Sequence, residues 1–517
     1  MKINKKIISL VLAGVLSAGF LVGCSSKSNE GGESKSSKTF TYGTTAYNSS
    51  EAGINPHKGY SGWPAIRYGV TETLFKFNEN MELEPWLATD YKIVDDYTVK
   101  INLRDDVKFS NGSKMTGDSV KACFESLIKI NDRAPGDLAI KSIKADGQSI
   151  IIKSKNKVTT LLNYLSDPYG GIIDVSDWDE KGDTCIGTGP FIAKSVSGEE
   201  IDLDKNENYW GGKPKVDKVV VKSFTDGDTM TMALQNGEID ATQGLPYASL
   251  DLFKKNDDYK ISSENTSRVY QIAYNYENKD LQNKKVRQAI AKSINKEDFT
   301  KTLLSGNGTP AVGAFPSNFS FGNEAVKGDD FDLEGAKKLL KEAGYKDSDN
   351  DGYVDKDGKN LTIRWLTYPS RMELPLLAES AQSTLKEIGI KVDVNSTENH
   401  KDYIEKGEYD VYASAFVTAP TGDPQYYITT HLLDDSAYNS GHYHSDKVEK
   451  LTKELRNEFD TKKRSDLAIK IQQEVLNDCA YTYASHLKMS LVMKKNIKGF
   501  EAHPSDYYEI TSNLDIE

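Results

Sequence analysis

The feature that most constrains the fold is the alternation of two hydrophobic periods along the chain. Residues 97–103 alternate apolar and polar side chains, as a half-buried strand does. Thr116 then stands at a helix N-cap position, before an apolar stripe made of Val120, Cys123, Phe124 and Leu127. Asp332 precedes a second helical stripe, and residues 391–395 again have a strand pattern. This mixture predicts an α/β fold rather than a helix bundle or a β-sandwich.

The N-terminus has the pattern of a secretory leader. Lys2, Lys5 and Lys6 precede an apolar run from Ile7 to Val22, and Gly23-Cys24 follows. The run is too short to span a bilayer, which takes about 20 apolar residues. The segment resembles a bacterial lipobox, in which the cysteine is lipidated and becomes the new N-terminus. The alternative is an ordinary signal peptide with a chance cysteine. The Ser-rich stretch up to residue 37 predicts a solvated tether.

Composition excludes several classes of function. The chain carries a net charge of −12, and removal of the lysine-bearing leader makes it more acidic. Such a chain does not favour nucleic acid as a partner, nor binding to a membrane surface by charge, so a lipid must hold it there. Cys123, Cys185 and Cys479 are widely spaced, which predicts buried thiols rather than a disulfide framework or a zinc site. No serine-hydrolase elbow, P-loop or zincin motif is present, which favours a non-enzyme over a lipid-anchored hydrolase.

An ordered set of short segments resembles a known family. They are Asn-Pro-His at 55–57, Pro-Trp-Leu-Ala at 85–88, residues 103–112, Gly-Thr-Gly-Pro-Phe at 187–191, residues 208–214, Gly-Glu-Ile-Asp at 237–240 and Val-Arg-Gln-Ala-Ile at 286–290. From about Phe40 to the C-terminus, the chain resembles the extracytoplasmic solute-binding proteins of family 5, which serve peptide and nickel ABC importers. The resemblance implies the two-lobed periplasmic-binding-protein fold of type II, in its enlarged class with an extra subdomain.

The same resemblance implies an organisation for this chain. Residues 1–23 are the signal peptide and 24–37 the tether. Lobe I comprises 38–273 plus 485–517, with 81–190 as its outer subdomain, and lobe II comprises 274–484. The implied partners are an ABC permease and its ATPase subunits. The protein would be a monomer on the outer face of a bacterial cell membrane, anchored by lipid on Cys24. A sensor or adhesin role on the same fold stays open.

Histidines favour nickel, carried with small chelators, as the ligand. His486 lies next to the second predicted crossing between the lobes, where the resemblance implies that a histidine can face the cleft. His442 and His444 lie in a loop, as in some nickel binders of this family. Neutral imidazole is a good nickel ligand. We therefore predict His486, His442 and His444 as the metal-binding residues.

A short peptide is the alternative ligand. In the peptide-binding branch, an aspartate of lobe II pairs with the ligand's ammonium group, and Asp423 is the candidate, although Gly-Asp-Pro is also typical of a helix cap. The arginines that often hold a chelator's carboxylate in this family are missing from residues 415–424 and 167–171. Arg268 is the predicted replacement because a guanidinium binds a carboxylate in a bidentate manner. Position in the chain suggests that aromatic walls are provided by Tyr60, Trp63 and Tyr169.

One acidic segment is separate from the predicted cleft. Asp347, Asp349, Asp351 and Asp355 stand at alternate positions around Gly352, as in a calcium loop. The twelfth position is Gly358 instead of the glutamate that completes such loops. The segment therefore predicts either a calcium site or an ordinary acidic turn.

Overall fold

The computed structural model describes residues 37–45, 53–176 and 183–517. The predicted signal peptide, Cys24 and the tether up to residue 36 lie outside the described residues. Residues 38–517 form one structural unit. No helix in the described part of the chain is long and apolar enough to cross a membrane.

A mixed sheet of eleven strands runs through the molecule. Its strands in chain order are β1 (Thr39–Thr44), β8 (Phe191–Val196), β9 (Glu200–Lys205), β10 (Lys218–Ser223), β11 (Ala241–Gln243), β12 (Tyr259–Tyr274), β13 (Gly308–Pro310), β16 (Thr362–Thr367), β17 (Lys391–Ser396), β18 (Val411–Val417) and β19 (Tyr481–Lys494). Their order across the sheet is β17-β16-β18-β12-β19-β11-β1-β10-β9-β8, and β13 also pairs with β19. We call the side from β11 to β8 the first half of the sheet and the side from β18 to β17 the second half.

The long strands β12 and β19 connect the two halves. The start of β12 pairs with the end of β19, which in turn pairs with β11 in the first half. The end of β12, from Arg268 to Tyr274, pairs with β18 in the second half. Between these stretches, the β12–β19 register shifts between Asn265 and Val269. The shift marks the change from one half to the other, whereas the lobe limits at 273 and 485 stay a prediction.

The other strands form small sheets. A four-stranded antiparallel sheet, ordered β4-β5-β7-β6, comprises β4 (Ala88–Asp95), β5 (Thr98–Leu103), β6 (Ile140–Ala145) and β7 (Ser149–Ser154). Two-stranded pairs are formed by β2 (Phe75–Phe77) with β3 (Leu83–Pro85), β14 (Asp355–Lys356) with β15 (Lys359–Asn360), and β20 (Ile497–Lys498) with β21 (Asp515–Ile516).

Helices pack on both halves. Those associated with the first half are α1 (Gly62–Arg67), α2 (Gly117–Ile130), α3 (Ala134–Leu138), α4 (Leu161–Tyr164), α5 (Gly227–Gln235) and α6 (Tyr247–Lys254). Those of the second half are α7 (Lys279–Gln282), α8 (Lys284–Lys292), α9 (Lys296–Asp298), α10 (Leu333–Glu342), α11 (Glu373–Glu387), α12 (His400–Glu405), α13 (Gln425–His431), α14 (Asp446–Leu455) and α15 (Thr461–Asn477). Short 3₁₀ turns lie at Pro168–Gly170 and Asn323–Ala325, and a π-helical turn lies at Phe299–Leu303.

The α/β prediction and the elements that carried it are confirmed. Thr116 caps α2 through a capping box with Ser119, and the predicted stripe of α2 is buried. Asp332 accepts a hydrogen bond from the Gly335 amide at the start of α10. The three predicted buried thiols are free and buried. Local capping and periodicity therefore placed these elements correctly.

Candidate functional site

The candidate site lies where the two halves of the sheet meet. In the second half, the parallel strands β16, β17 and β18 end at one edge, and in the first half the parallel strands β1, β10 and β11 end at another. Ligands of α/β proteins bind in the crevice outside the carboxyl ends of such strands. The segments after these ends, together with the crossing strands, are therefore the candidate walls of a binding cleft.

A row of three side chains crosses the junction on one face of the sheet. Phe416 of β18 is paired with Val269 of β12, and Val269 is paired with His486 of β19. Residues opposite each other in neighbouring strands project to the same face of a sheet. With about 4.8 Å between neighbouring strands, Phe416 and His486 lie roughly 10 Å apart, on either side of Val269.

His486 is fully buried, and neither ring nitrogen has a hydrogen-bond partner. Burial, and then the nearby Lys296 ammonium, lowers the pKa of His486 to about 3, so the ring is neutral at physiological pH. A buried polar atom without a partner is unfavourable by about 1–3 kcal/mol, and native proteins contain few of them. A neutral imidazole with both nitrogens unengaged is chemically competent to bind a metal ion or to hydrogen-bond a ligand.

The row faces side chains from the first half. Val269 belongs to a hydrophobic core cluster that also contains Ile66 of α1 and Tyr507, with Trp63 packed against it. The Trp63 and Tyr507 rings meet edge to face at 5.0 Å, and the Trp63 indole nitrogen is another buried atom without a partner. We call this cluster the junction core. Trp63, a predicted wall residue, packs against this cluster, and Val269, the strand neighbour of His486, belongs to it.

The other two predicted aromatic walls flank one arginine. The Arg133 guanidinium carbon lies 5.1 Å from the ring centroids of both Tyr60 and Tyr169. Its Nη2 donates to Asp167 at 2.7 Å. Tyr169 is buried, whereas Tyr60 is 62% exposed. Arg133 was missed by the sequence analysis because a single arginine before a short helix has no distinctive pattern.

Aromatic side chains of the second half form the opposite rim. Phe416 packs on His431 at 4.0 Å, on Tyr438 at 5.3 Å and, stacked, on Tyr426 at 6.1 Å. Tyr438 lies close enough to Tyr60 and Arg133 for both to affect its pKa, which burial raises above the usual value. His431, which has no distinctive context in the sequence, is thus part of the rim. Burial lowers its pKa to about 3, so it is also neutral.

Arg268 lies beside this row but on the opposite face of β12. It pairs with Val417, one position from the Val269–Phe416 pair, and side chains alternate between faces along a strand. No hydrogen bond or ion pair engages its guanidinium within the described residues. Burial and then the Arg371 guanidinium lower the pKa of Arg268. The Asp506 carboxylate acts on Arg268 only through its charge, so the guanidinium keeps donors that can bind an anionic ligand group.

Asp423, the predicted anchor for a peptide ammonium, is engaged by the protein itself. Arg464 donates from Nη2 to Oδ1 at 2.7 Å and from Nε to Oδ2 at 3.0 Å, and both side chains are buried. The Gln425 amide also donates to Oδ1 at 2.8 Å, at the start of α13. Both carboxylate oxygens of Asp423 are therefore engaged by protein donors just before α13, whose N-cap residue is Pro424, and its role as an ammonium anchor stays a prediction.

The loop histidines do not join His486. His442 is exposed, with Nε2 4.0 Å from Glu277 Oε1. His444 is exposed as well, and its Nδ1 lies 2.8 Å from the Asp434 carboxylate. Within the described residues, the single group of three donors close enough for one metal ion is Asp347, Asp349 and Asp351. The predicted three-histidine metal site is therefore not assembled in this structure.

The acidic loop is only partly arranged as a calcium loop would be. Asp347, Asp349 and Asp351 place carboxylate oxygens within 4.8 Å of one another, and all three residues are exposed. Asp355 does not join them, because its Oδ2 accepts hydrogen bonds from the amide and the hydroxyl of Ser348. Its role as a fourth ligand is not supported, and exposed acidic groups are common in turns that bind no ion.

Comparison with known proteins places this geometry in a family. The model of the bacterial extracellular solute-binding proteins, family 5 (middle region), matches residues 82–439. The nickel-binding protein NikA of Staphylococcus aureus is 28% identical over 454 residues, which cover 87% of this chain and 90% of the relative. The oligopeptide-binding protein AppA of Bacillus subtilis is 27% identical over 463 residues, with 84% of each chain covered.

A solved structure gives the same result. The crystal structure of S. aureus NikA in complex with Ni(L-His)2 superposes with a TM-score of 0.77 at 27% identity, covering 93% of this chain and all of that one. The two-lobed α/β fold predicted from the sequence is thereby confirmed. The chain belongs to the bacterial extracellular solute-binding proteins of family 5.

Proposed function

We propose that this protein captures nickel, bound to a small carboxylate-bearing chelator such as histidine, and delivers it to the permease of an ABC importer. The observation that carries this proposal is the state of His486. A fully buried, neutral imidazole with two unengaged nitrogens is the kind of donor that a borderline metal such as Ni²⁺ prefers.

The surroundings of His486 suit a chelate better than a bare ion. Of the three histidines predicted to bind the metal, only His486 is buried at the junction, so most coordination positions of the metal would be filled by the chelator. Arg268, on the opposite face of β12, and its neighbour Arg371 would add a positive potential that attracts the chelator's carboxylates. The rims around Tyr60 and Tyr438 offer aromatic faces for a planar group such as an imidazole. The similarity to NikA, whose solved structure holds Ni(L-His)2, supports the same ligand class.

Oligopeptide binding is the second candidate, and one feature favours it. Arg268 with Arg371 would also attract the C-terminal carboxylate of a peptide, and the AppA relative is named as an oligopeptide-binding protein. A peptide would in addition need an anion for its ammonium group. Asp423, the residue predicted for that role, is already engaged by Arg464.

Calorimetry separates the two candidates. We expect wild-type protein to bind NiCl2 mixed with L-histidine with a micromolar or lower Kd. Mixed di- to pentapeptides should bind far more weakly. The matched variants are His486→Leu, which replaces the buried ring by an apolar group of similar size, and His442→Leu, which changes an exposed histidine. Loss of nickel binding in the first variant alone supports the proposal. Peptide binding without metal, unaffected by His486→Leu, would reverse it.

We further propose that Cys24 is the first residue of the mature protein and carries the lipid that holds it at the outer face of the membrane. The leader sequence Leu21-Val22-Gly23-Cys24 supports this assignment. Stable anchoring by acylation takes more than one lipid chain, so the N-terminus is expected to be multiply acylated. Mass spectrometry of the native N-terminus tests the claim. An unmodified terminus, or one at another residue, would contradict it.

A further inference from the structure

The segment that follows β18, residues 418–424, is attached to both halves of the molecule. We call it the junction loop. On the side of the second half, Asp423 is engaged by Arg464. At the crossing strand, the Thr418 amide and hydroxyl both donate to the carbonyl of Ser267, at 2.8 and 3.0 Å. These contacts fix both ends of the junction loop to β12 and the second half.

The middle of the junction loop is bound by side chains of the first half. The Tyr507 hydroxyl donates to the Pro420 carbonyl at 2.8 Å, and Asn163 Nδ2 donates to the Thr421 carbonyl at 2.8 Å. Tyr507 precedes the C-terminal strand β21, and Asn163 lies in α4, so the donors come from separate parts of the first half. Both acceptors are backbone carbonyls, which keep their hydrogen-bonding capacity whatever the ligand is.

Shape complementarity accompanies these bonds. Gly422 has a φ of +67°, and a Cβ there would lie 2.7 Å from Phe77 Cε1 and 3.0 Å from the Met81 carbonyl oxygen. Ala419 is fully buried in the junction core together with Phe77 and Met81. The loop backbone therefore lies against the first half at a distance that only glycine permits at position 422.

We propose that the junction loop is a latch that sets the fraction of molecules in the closed form. Tyr507 and Asn163 are positioning residues that raise ligand affinity through this latch without bonding to the ligand. Their two bonds exist only while the halves are in contact. They therefore stabilise the closed form relative to any form in which the halves separate. Apparent affinity falls in proportion to the fraction of molecules in the binding-competent form, so weakening the latch weakens binding.

The test uses the full mature chain carrying Tyr507→Phe and Asn163→Ala together, with each single variant alongside. Without ligand, solution scattering is expected to give a larger radius of gyration than wild type. Hydrogen exchange of the amides in 418–424 is expected to be faster, while the unfolding transition stays cooperative. The matched control is Tyr345→Phe, which removes a hydroxyl bond to Asp280 within the second half and is expected to change neither measurement. An unchanged radius of gyration and unchanged exchange in the folded double variant would overturn the proposal.

A second measurement uses NiCl2 with L-histidine as the probe and therefore rests on the proposed function. Two net hydrogen bonds shift a two-state equilibrium by about tenfold or more, so the apparent Kd of the double variant is expected to rise about tenfold. If wild-type protein binds no nickel, the proposed function fails, and scattering and exchange without ligand still decide the latch. If the double variant is too unstable to purify, Tyr507→Phe alone, which keeps the ring in the junction core, decides it by the same measurements.

Discussion

The junction loop and the crossing strands both carry buried polar side chains, but Asp423 of the loop has hydrogen-bond partners, whereas His486 and Arg268 of the strands have none for their side chains within the described residues. In the loop, the Asp423 carboxylate receives two bonds from Arg464, whose remaining donors reach the carbonyls of Leu455 and Glu458. In the crossing strands, His486 has no partner at either nitrogen, and the Arg268 guanidinium has none within the described residues. The buried groups of the crossing strands therefore keep hydrogen-bonding capacity that a ligand can use, whereas Asp423 does not.

The same difference separates two charged residues, Asp423 and Arg268, that the sequence offers as candidates for ligand binding. Gly-Asp-Pro at 422–424 fitted both a ligand anchor and a helix cap, and local sequence cannot separate the two. Arg464 stands 41 residues further along the chain, so only the packing of α15 against the junction loop decides that Asp423 has a structural role. Arg268 stays a candidate for the complementary reason, since no hydrogen bond or ion pair of the described residues engages its guanidinium.

The largest expected effect is a loss of stability on breaking the buried Asp423–Arg464 pair. Asp423→Ala leaves Arg464 buried without its counter-charge, which is expected to lower the free energy of unfolding by about 3–5 kcal/mol in urea titrations. The exposed pair Arg104–Asp106 is the control, because Asp106→Ala should cost within about 1 kcal/mol. Equal losses of stability in the two variants would show that the buried pair contributes no more than the exposed one, which would contradict the prediction.

At His486 we expect the opposite pattern, in which a substitution changes stability little but weakens binding strongly. His486→Leu removes two unpaired buried nitrogens, so the free energy of unfolding should stay within about 1 kcal/mol of wild type or rise. Binding of NiCl2 with L-histidine should fall by about 100-fold or more, because the nitrogen donor is lost. Urea titration and calorimetry on the same preparation measure both quantities. A large loss of stability with intact nickel binding would identify His486 as a structural residue.

The free energy of unfolding is expected to fall in acid because His486 is buried as a neutral imidazole. The pKa of His486 is about 3 in the folded protein, below its unfolded value, so the unfolded state binds the proton more readily at intermediate pH. Stability is therefore full above about pH 6.5 and falls as the pH drops, by about 1.4 kcal/mol per pH unit for each such histidine. His486→Leu should reduce that slope by about one proton between roughly pH 4.5 and 6. Urea midpoints measured across this range test it, and an unchanged slope would contradict a buried, neutral ring.

The smallest expected effect concerns Arg268. Arg268→Gln removes one of two neighbouring cations without breaking a protein ion pair, so stability should be unchanged. Binding of the nickel–histidine mixture should weaken by about tenfold, because a positive charge that attracts the chelator's carboxylate is lost. Arg268→Lys keeps the charge but not the planar guanidinium, so its affinity is expected to lie between those of wild type and Arg268→Gln. Affinity unchanged in both variants, measured by calorimetry, would exclude Arg268 from the site.

The sequence by itself determined the local elements and the family. Hydrophobic period and caps are short-range properties, so the strand over 98–103, the capped helix α2 and the start of α10 follow from neighbouring residues. The helical spacing of Val448, Leu451, Leu455 and Phe459 also predicts one apolar stripe, but α14 ends at Leu455, and Phe459 lies beyond it and is 37% exposed.

Only the tertiary structure decided which polar residues are engaged. Burial and partner assignment depend on residues that are distant in the chain, as for Asp423 with Arg464, His486 beside Val269, and Arg133 between Tyr60 and Tyr169. The family resemblance grouped His442 and His444 with His486, whereas the fold leaves the first two at the surface and encloses the third. The physical reason is that hydrogen-bond satisfaction is a property of packed neighbours, which local patterns do not encode.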